Sequence, residues 1–104
     1  MASFTLHDLE QRVKARAQAS ADVSYTRRLL DQGVDQCAKK LGEEAIETIL
    51  AAIDEDRERL IAETADLIYH LLVVLAARGI GLEEVEAELA KRSQQSGLEE
   101  KAGR

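Results

Sequence analysis

Proline and tryptophan are absent from these 104 residues, and cysteine occurs once. With no proline and no low-complexity segment, nothing marks a linker. The length suits one domain over residues 1–104, with a polar C-terminal tail from position 94. The lone Cys37 excludes an intrachain disulfide framework and a multi-cysteine zinc site. It suits a reducing compartment, so a cytoplasmic location is expected. Aromatics are equally scarce: Phe4, Tyr25 and Tyr69 are the full set, so the core has to be built from Leu, Ile, Val and Ala. Basic residues fall short as well, fourteen against twenty acidic, for a formal charge of −6. That balance argues against general affinity for nucleic acid or an anionic membrane and favours cations as partners. No uninterrupted apolar run reaches the roughly eighteen residues of a bilayer span, and "MASFTLHDLEQRVKARA" lacks the apolar segment of a secretory signal.

Helical periodicity fills most of the chain. Thr5 and Asp8 form a capping-box pattern ahead of Leu6, Leu9, Val13 and Ala17, predicting a first helix to about Ala19. Ser24 caps a short helix through Leu29 and Leu30, and Gly33 ends it. A long helix is expected from about Val34 to Ile53, with Val34, Ala38, Leu41, Ala45, Ile49, Ala52 and Ile53 as its core face. After "DEDRER", the stretch from about Arg57 to Arg78 is apolar in almost every direction and reads as the central helix. "RGIG" stops it, and Leu82, Val85 and Leu89 mark a last helix. With no convincing period-two run, the expected fold is all-α, a bundle of four to five helices. Its apolar central helix and small size predict completion by self-association, as a homodimer or higher homo-oligomer.

Four acids interrupt the two long apolar patterns. Glu44 and Glu47 point within about 60° of each other, as do Glu63 and Asp66, because residues three apart share a helix face. An antiparallel hairpin of the two helices would bring the pairs together. Ionised carboxylates gathered inside a bundle are opposed by desolvation and by mutual repulsion, and a hard divalent cation relieves both. An all-oxygen donor set favours Mg²⁺, with Mn²⁺ as a substitute, and Mg²⁺ characteristically accompanies phosphate chemistry. The plainer reading of "EEAIE" is a solvated acidic face, with Lys40 paired to Glu43 or Glu44. That reading suits Glu63 and Asp66 less well, because their helix has little polar face and their stripe also holds Arg59 and His70.

Other chemistries lack their residues. A ferritin-like di-iron bundle requires Glu-x-x-His on two helices, and neither His7 nor His70 supplies it. His70 reads as a packed core histidine and Cys37 as a small buried hydrophobe. No Ser/His/Asp or Cys/His arrangement and no glycine-rich phosphate loop is present.

The spacing Glu43-Glu44-x-x-Glu47 followed by Glu63-x-x-Asp66 resembles the EExxE…ExxD signature of the all-α nucleotide pyrophosphohydrolase superfamily, which includes MazG-like enzymes and dimeric dUTPases. "SYT" at Ser24–Thr26, "KKLGEEAIE", "ETADLIYHLLVVL" and "KRSQQSGLEEKAGR" narrow the resemblance to the phosphoribosyl-ATP pyrophosphohydrolase family of histidine biosynthesis. It covers roughly Ser24 to the C-terminus.

The resemblance implies Mg²⁺-dependent hydrolysis of N1-(5-phosphoribosyl)-ATP to N1-(5-phosphoribosyl)-AMP and pyrophosphate. It makes Glu44, Glu47, Glu63 and Asp66 the metal ligands, and gives Glu43 the role of orienting or deprotonating the attacking water. Lys40 would meet a phosphate oxygen. Arg92, Lys101 and Arg104 would clamp phosphates or the phosphoribosyl group, and Ser96-Gly97 would bring backbone close to a phosphate. Tyr25 and Thr26 either line the substrate pocket or pack the short helix. Two other functions share parts of this pattern. One is a house-cleaning (d)NTP pyrophosphohydrolase with the same carboxylates, and the other is a non-enzymatic helical oligomerisation module.

Overall fold

The computed structural model describes residues 3–54 and 56–94. Five helices follow one another: α1 Leu6–Ala17, α2 Tyr25–Asp31, α3 Val34–Asp54, α4 Arg57–Ala77 and α5 Leu82–Arg92. No strand occurs among the described residues, so the all-α expectation holds.

Local chemistry sets the helix boundaries. The Asp8 N–H donates to Thr5 Oγ1 at 3.1 Å and the Thr5 N–H to Asp8 Oδ2 at 3.0 Å. This reciprocal pair satisfies two donors that a helix start leaves open. Helix α1 stops at Ala17, two positions before the expected end. Ser24 Oγ accepts from the Arg27 N–H at 3.1 Å and donates to the Arg16 carbonyl at 2.9 Å. One hydroxyl therefore starts α2 and ties it to the end of α1. Gly33, at φ +92°, makes the sharp turn into α3, a backbone conformation that side chains with a Cβ resist. Asp56 caps α4 by accepting from the Arg59 N–H at 2.8 Å.

Helix α4 packs against α1, α2 and α3, with α3 and α4 the most extensive pair. By length and composition alone α4 could cross a bilayer. Here it is the central helix of the bundle and carries buried Glu63 and His70. Val13, Leu29, Cys37, Leu72, Val73 and Leu82 form the core, so every helix contributes at least one residue. Cys37 is 1% exposed and its thiol donates to the Leu29 carbonyl at 3.2 Å.

Helix α3 sits differently from the expected face. Its buried residues are Cys37, Glu44 and Ala51, spaced by sevens, whereas Ile49 and Ile53 are 58% and 72% exposed. Val34, Leu41 and Ala45 are half-buried. Cys37 and Ala51 have small side chains, which lets α3 approach its neighbours closely and carries Glu44 inward between them. The bulkier isoleucines are left outside.

Candidate active site

The α3–α4 hairpin gathers the acids. Glu44 and Glu63 are 9% and 4% exposed, while Glu47 and Asp66 lie at the solvent edge. Carboxylate oxygens of Glu44, Glu63 and Asp66 fall within 4.8 Å of one another. Glu47 faces both buried glutamates and lines a cleft of about 90 Å³ with Leu50, Arg59 and Glu63. Thr48 locks the two helices together at this level. Its hydroxyl lies 2.8 Å from the Glu44 carbonyl and 3.2 Å from the Glu63 carbonyl.

The cluster is electrostatically frustrated. Burial pushes the Glu44 carboxyl above the ordinary glutamate value, with a shared hydrogen bond to Glu47 and repulsion from it and Asp66 adding to the rise, while His70 opposes it. Burial also raises Glu63. Arg59 counteracts this, and Glu47 and Asp66 reinforce it. Arg59 reaches Glu63 Oε1 at 2.7 Å, yet Glu63 Oε2 and Glu44 Oε2 are buried without a hydrogen-bond partner among the described residues. Buried carboxylate oxygens are normally satisfied, because desolvation is otherwise uncompensated. A hard divalent cation fits this donor set. Oxygens on opposite sides of Mg²⁺ or Ca²⁺ lie roughly 4–5 Å apart, comparable with the spread observed.

Around the cluster, Lys40 Nζ lies 3.6 Å from half-exposed Glu43. Glu43 therefore stands on the flank of the acids with a cation at its side. Tyr25, Tyr69 and His70 form an aromatic group, with ring centroids separated by 6.5 Å for Tyr25–Tyr69, 6.2 Å for Tyr25–His70 and 4.9 Å for Tyr69–His70. Thr26 is 1% exposed and bonds the Tyr69 hydroxyl at 2.5 Å, so it braces α2 against α4. Tyr25 is half-exposed and lines a groove beside them. Arg92 belongs to the last turn of α5 rather than to the tail, with Nε 3.9 Å from Glu88. Ser96, Gly97, Lys101 and Arg104 lie outside the described residues.

Two contributors were hidden in the sequence pattern. Thr48 looks like an ordinary polar residue between Glu47 and Ile49, and its bridging role exists only once α4 lies alongside. His70 is buried, as a core histidine should be, but its packing leaves one nitrogen open. Nδ1 sits 2.8 Å from the Asp66 carbonyl, which fixes that nitrogen as the donor. Nε2 is left buried without a partner among the described residues. The one available signal was the four-residue spacing from Asp66.

Comparison with known proteins identifies the family. Residues 6–93 match the family described as phosphoribosyl-ATP pyrophosphohydrolase. A protein of Bradyrhizobium diazoefficiens named phosphoribosyl-ATP pyrophosphatase 1 is 62% identical over 100% of this chain and 98% of its own length. Proteins named phosphoribosyl-ATP pyrophosphatase from Azorhizobium caulinodans and Rhizobium meliloti are 63% and 54% identical, over 96% and 100% of this chain and 92% and 97% of their own. The match to the family begins in α1 and runs through the acid-bearing hairpin to the end of α5, and the relatives extend it across nearly the whole sequence: this chain belongs to the phosphoribosyl-ATP pyrophosphohydrolase family.

Proposed function

We propose that the protein hydrolyses N1-(5-phosphoribosyl)-ATP to N1-(5-phosphoribosyl)-AMP and pyrophosphate, in histidine biosynthesis, with Mg²⁺ as cofactor. The observation that carries this reading is the cluster of Glu44, Glu63 and Asp66 oxygens within 4.8 Å of one another, set in a chain of this family. Water adds across the α–β phosphoanhydride. One P–O bond forms to the water oxygen, the anhydride bridge breaks, and pyrophosphate carries away the negative charge that develops.

Glu44, Glu63 and Asp66, with Glu47 at the cleft, hold the cation. When bound, Mg²⁺ neutralises triphosphate charge and acidifies water. Glu43, on the flank of the cluster and 3.6 Å from Lys40, orients the attacking water and accepts its proton. Lys40 meets a phosphate oxygen from the same turn of α3. Thr48 and Arg59 hold the α3 and α4 carboxylates in register. Tyr25 and Thr26 contribute to the nucleotide site. Arg92, Lys101 and Arg104 are assigned to phosphates or the phosphoribosyl group, and Ser96-Gly97 to a phosphate, on the strength of the family's motifs.

A second copy of the chain completes the assembly. Ile46, Ile49, Leu50 and Ile53 are 60%, 58%, 53% and 72% exposed at the spacing of one helix face, and such an apolar stripe on a small domain favours burial against a partner. The test of function is turnover of phosphoribosyl-ATP against a panel of dNTPs with and without Mg²⁺. Preference for phosphoribosyl-ATP and loss of turnover in Asp66→Asn are expected. Preference for a dNTP would reject the assignment.

A further inference from the structure

A groove of about 450 Å³ opens at Tyr69, whose ring packs on that of His70, with Arg16, Val23, Tyr25 and Thr26 also in its lining. Its volume falls within the roughly 300–1,000 Å³ of small-molecule sites. Arg16 comes from the last turn of α1, far in sequence from the residues that hold the acids.

The arginines nearby differ in what holds them. Arg27 is engaged by Asp31 at 2.8 Å and by the Ala17 and Ala19 carbonyls. Arg28 is engaged by the Ala21 and Asp22 carbonyls. Arg16 has its backbone fixed by Ser24, but its guanidinium has no hydrogen-bond or ion-pair partner among the described residues. A fixed backbone presenting an uncommitted guanidinium to a groove is suited to an anion, because the planar fork matches phosphate oxygens.

We propose that this groove binds the 5′-phosphate of a ribose arm, with the Arg16 guanidinium as its anchor and the Tyr25 and Tyr69 rings as its wall. The proposal rests on the reading of the reaction given above. A phosphoribosylated nucleotide carries two anionic ends, and they need separate cations. The triphosphate end belongs with the carboxylate-held cation and Lys40. The monophosphate end would be repelled by the four acids unless it lay beyond them. The aromatic group provides that separation: His70 lies beside Glu44, its ring 4.9 Å from that of Tyr69, and Tyr69 in turn feels Arg16. Arg16 thereby acts as a specificity determinant, distinguishing a nucleotide with a second ribose phosphate from an ordinary triphosphate.

The test combines kinetics with a direct probe. Arg16→Gln is expected to raise KM for phosphoribosyl-ATP about tenfold or more, the scale of a lost charge-assisted phosphate contact, with kcat little changed. Arg16→Lys should restore part of the loss. In parallel, ribose 5-phosphate alone is titrated into isotope-labelled protein. Shifts at the amides of residues 23–26 and 69, weakened about tenfold in Arg16→Gln, support the groove. Equal affinity in the two proteins, shifts confined elsewhere, no binding by the wild type, or an unchanged KM would overturn it. Should the wild type fail to turn over phosphoribosyl-ATP, the reaction assignment falls, and the titration still decides whether the groove takes a sugar phosphate.

Discussion

Glu10 of α1 and Leu82 of α5 are joined across the fold: the Glu10 carboxylate accepts the Leu82 N–H at 2.6 Å. Glu84 accepts from the adjacent Gly81 N–H at 2.8 Å, so two carboxylates complement the positive end of α5. Glu10→Ala removes the one that comes from another helix. The expected loss is about 2 kcal/mol, the scale of a hydrogen bond to a charged group. It reads as a fall in Tm of roughly 10 °C, with faster amide exchange at the start of α5. Unaltered melting and exchange would show that the contact contributes nothing to stability.

Glu47 supplies repulsion to both buried glutamates. Glu47→Gln should therefore melt at or above the wild-type temperature in EDTA, yet gain less from Mg²⁺ at about ten millimolar, and its turnover should fall about a hundredfold or more. Differential scanning fluorimetry and pyrophosphate release measure the two sides. A variant that gains as much from Mg²⁺ as the wild type would remove Glu47 from the ligand set.

Glu43 and Lys40 make separable predictions although they are ion-paired. Glu43→Gln is expected to lower kcat by about 10²–10⁴, the range for general base loss, while keeping the thermal response to Mg²⁺. Lys40→Met should act mainly on KM. A large kcat loss in Lys40→Met with no effect of Glu43→Gln would exchange their roles.

The Tyr69 hydroxyl titrates above the ordinary tyrosine value of 10, chiefly because it is buried, with its bond to Thr26 opposing the rise. The sign follows directly. The folded state favours the neutral phenol, so this contribution to stability is fully present below about pH 10 and is lost as pH climbs through the folded value. Tyr69→Phe should flatten that alkaline decline in Tm. At neutral pH it should cost about 1–2 kcal/mol, because Thr26 loses a buried partner. An alkaline limb identical to wild type would contradict the assignment.

Ile53 is 72% exposed on the apolar stripe of α3. Ile53→Glu is expected to shift the species measured by light scattering from dimer to monomer, with helical content intact. A monomeric wild type, or an unchanged dimer in the variant, would place the interface elsewhere.

Helix boundaries were legible where a side chain writes the signal itself. Thr5 with Asp8, Ser24 and Gly33 each act within a few residues, so their geometry follows from the local sequence. The acid cluster was legible for a similar reason: two three-residue spacings and one turn bring Glu44, Glu63 and Asp66 together. The orientation of α3 was not. Periodicity detects apolar directions but does not say which one faces a neighbouring helix, and the direction chosen buries Cys37, Glu44 and Ala51 while exposing Ile49 and Ile53. Arg16 was equally silent, because a basic residue in the last turn of a helix is ordinary. Packing of α1 beside α2 and α4 is what places it at the groove.

Folding order follows from where the acids sit along the chain. Glu44 through Asp66 belong to one hairpin, and bringing together segments so near in sequence requires little loop closure. The contact between Glu10 and Leu82 spans 72 positions and awaits both termini. The hairpin that carries the acids is thus a local unit, whereas the clasp between Glu10 and Leu82 closes a long loop and forms only once both segments are in place.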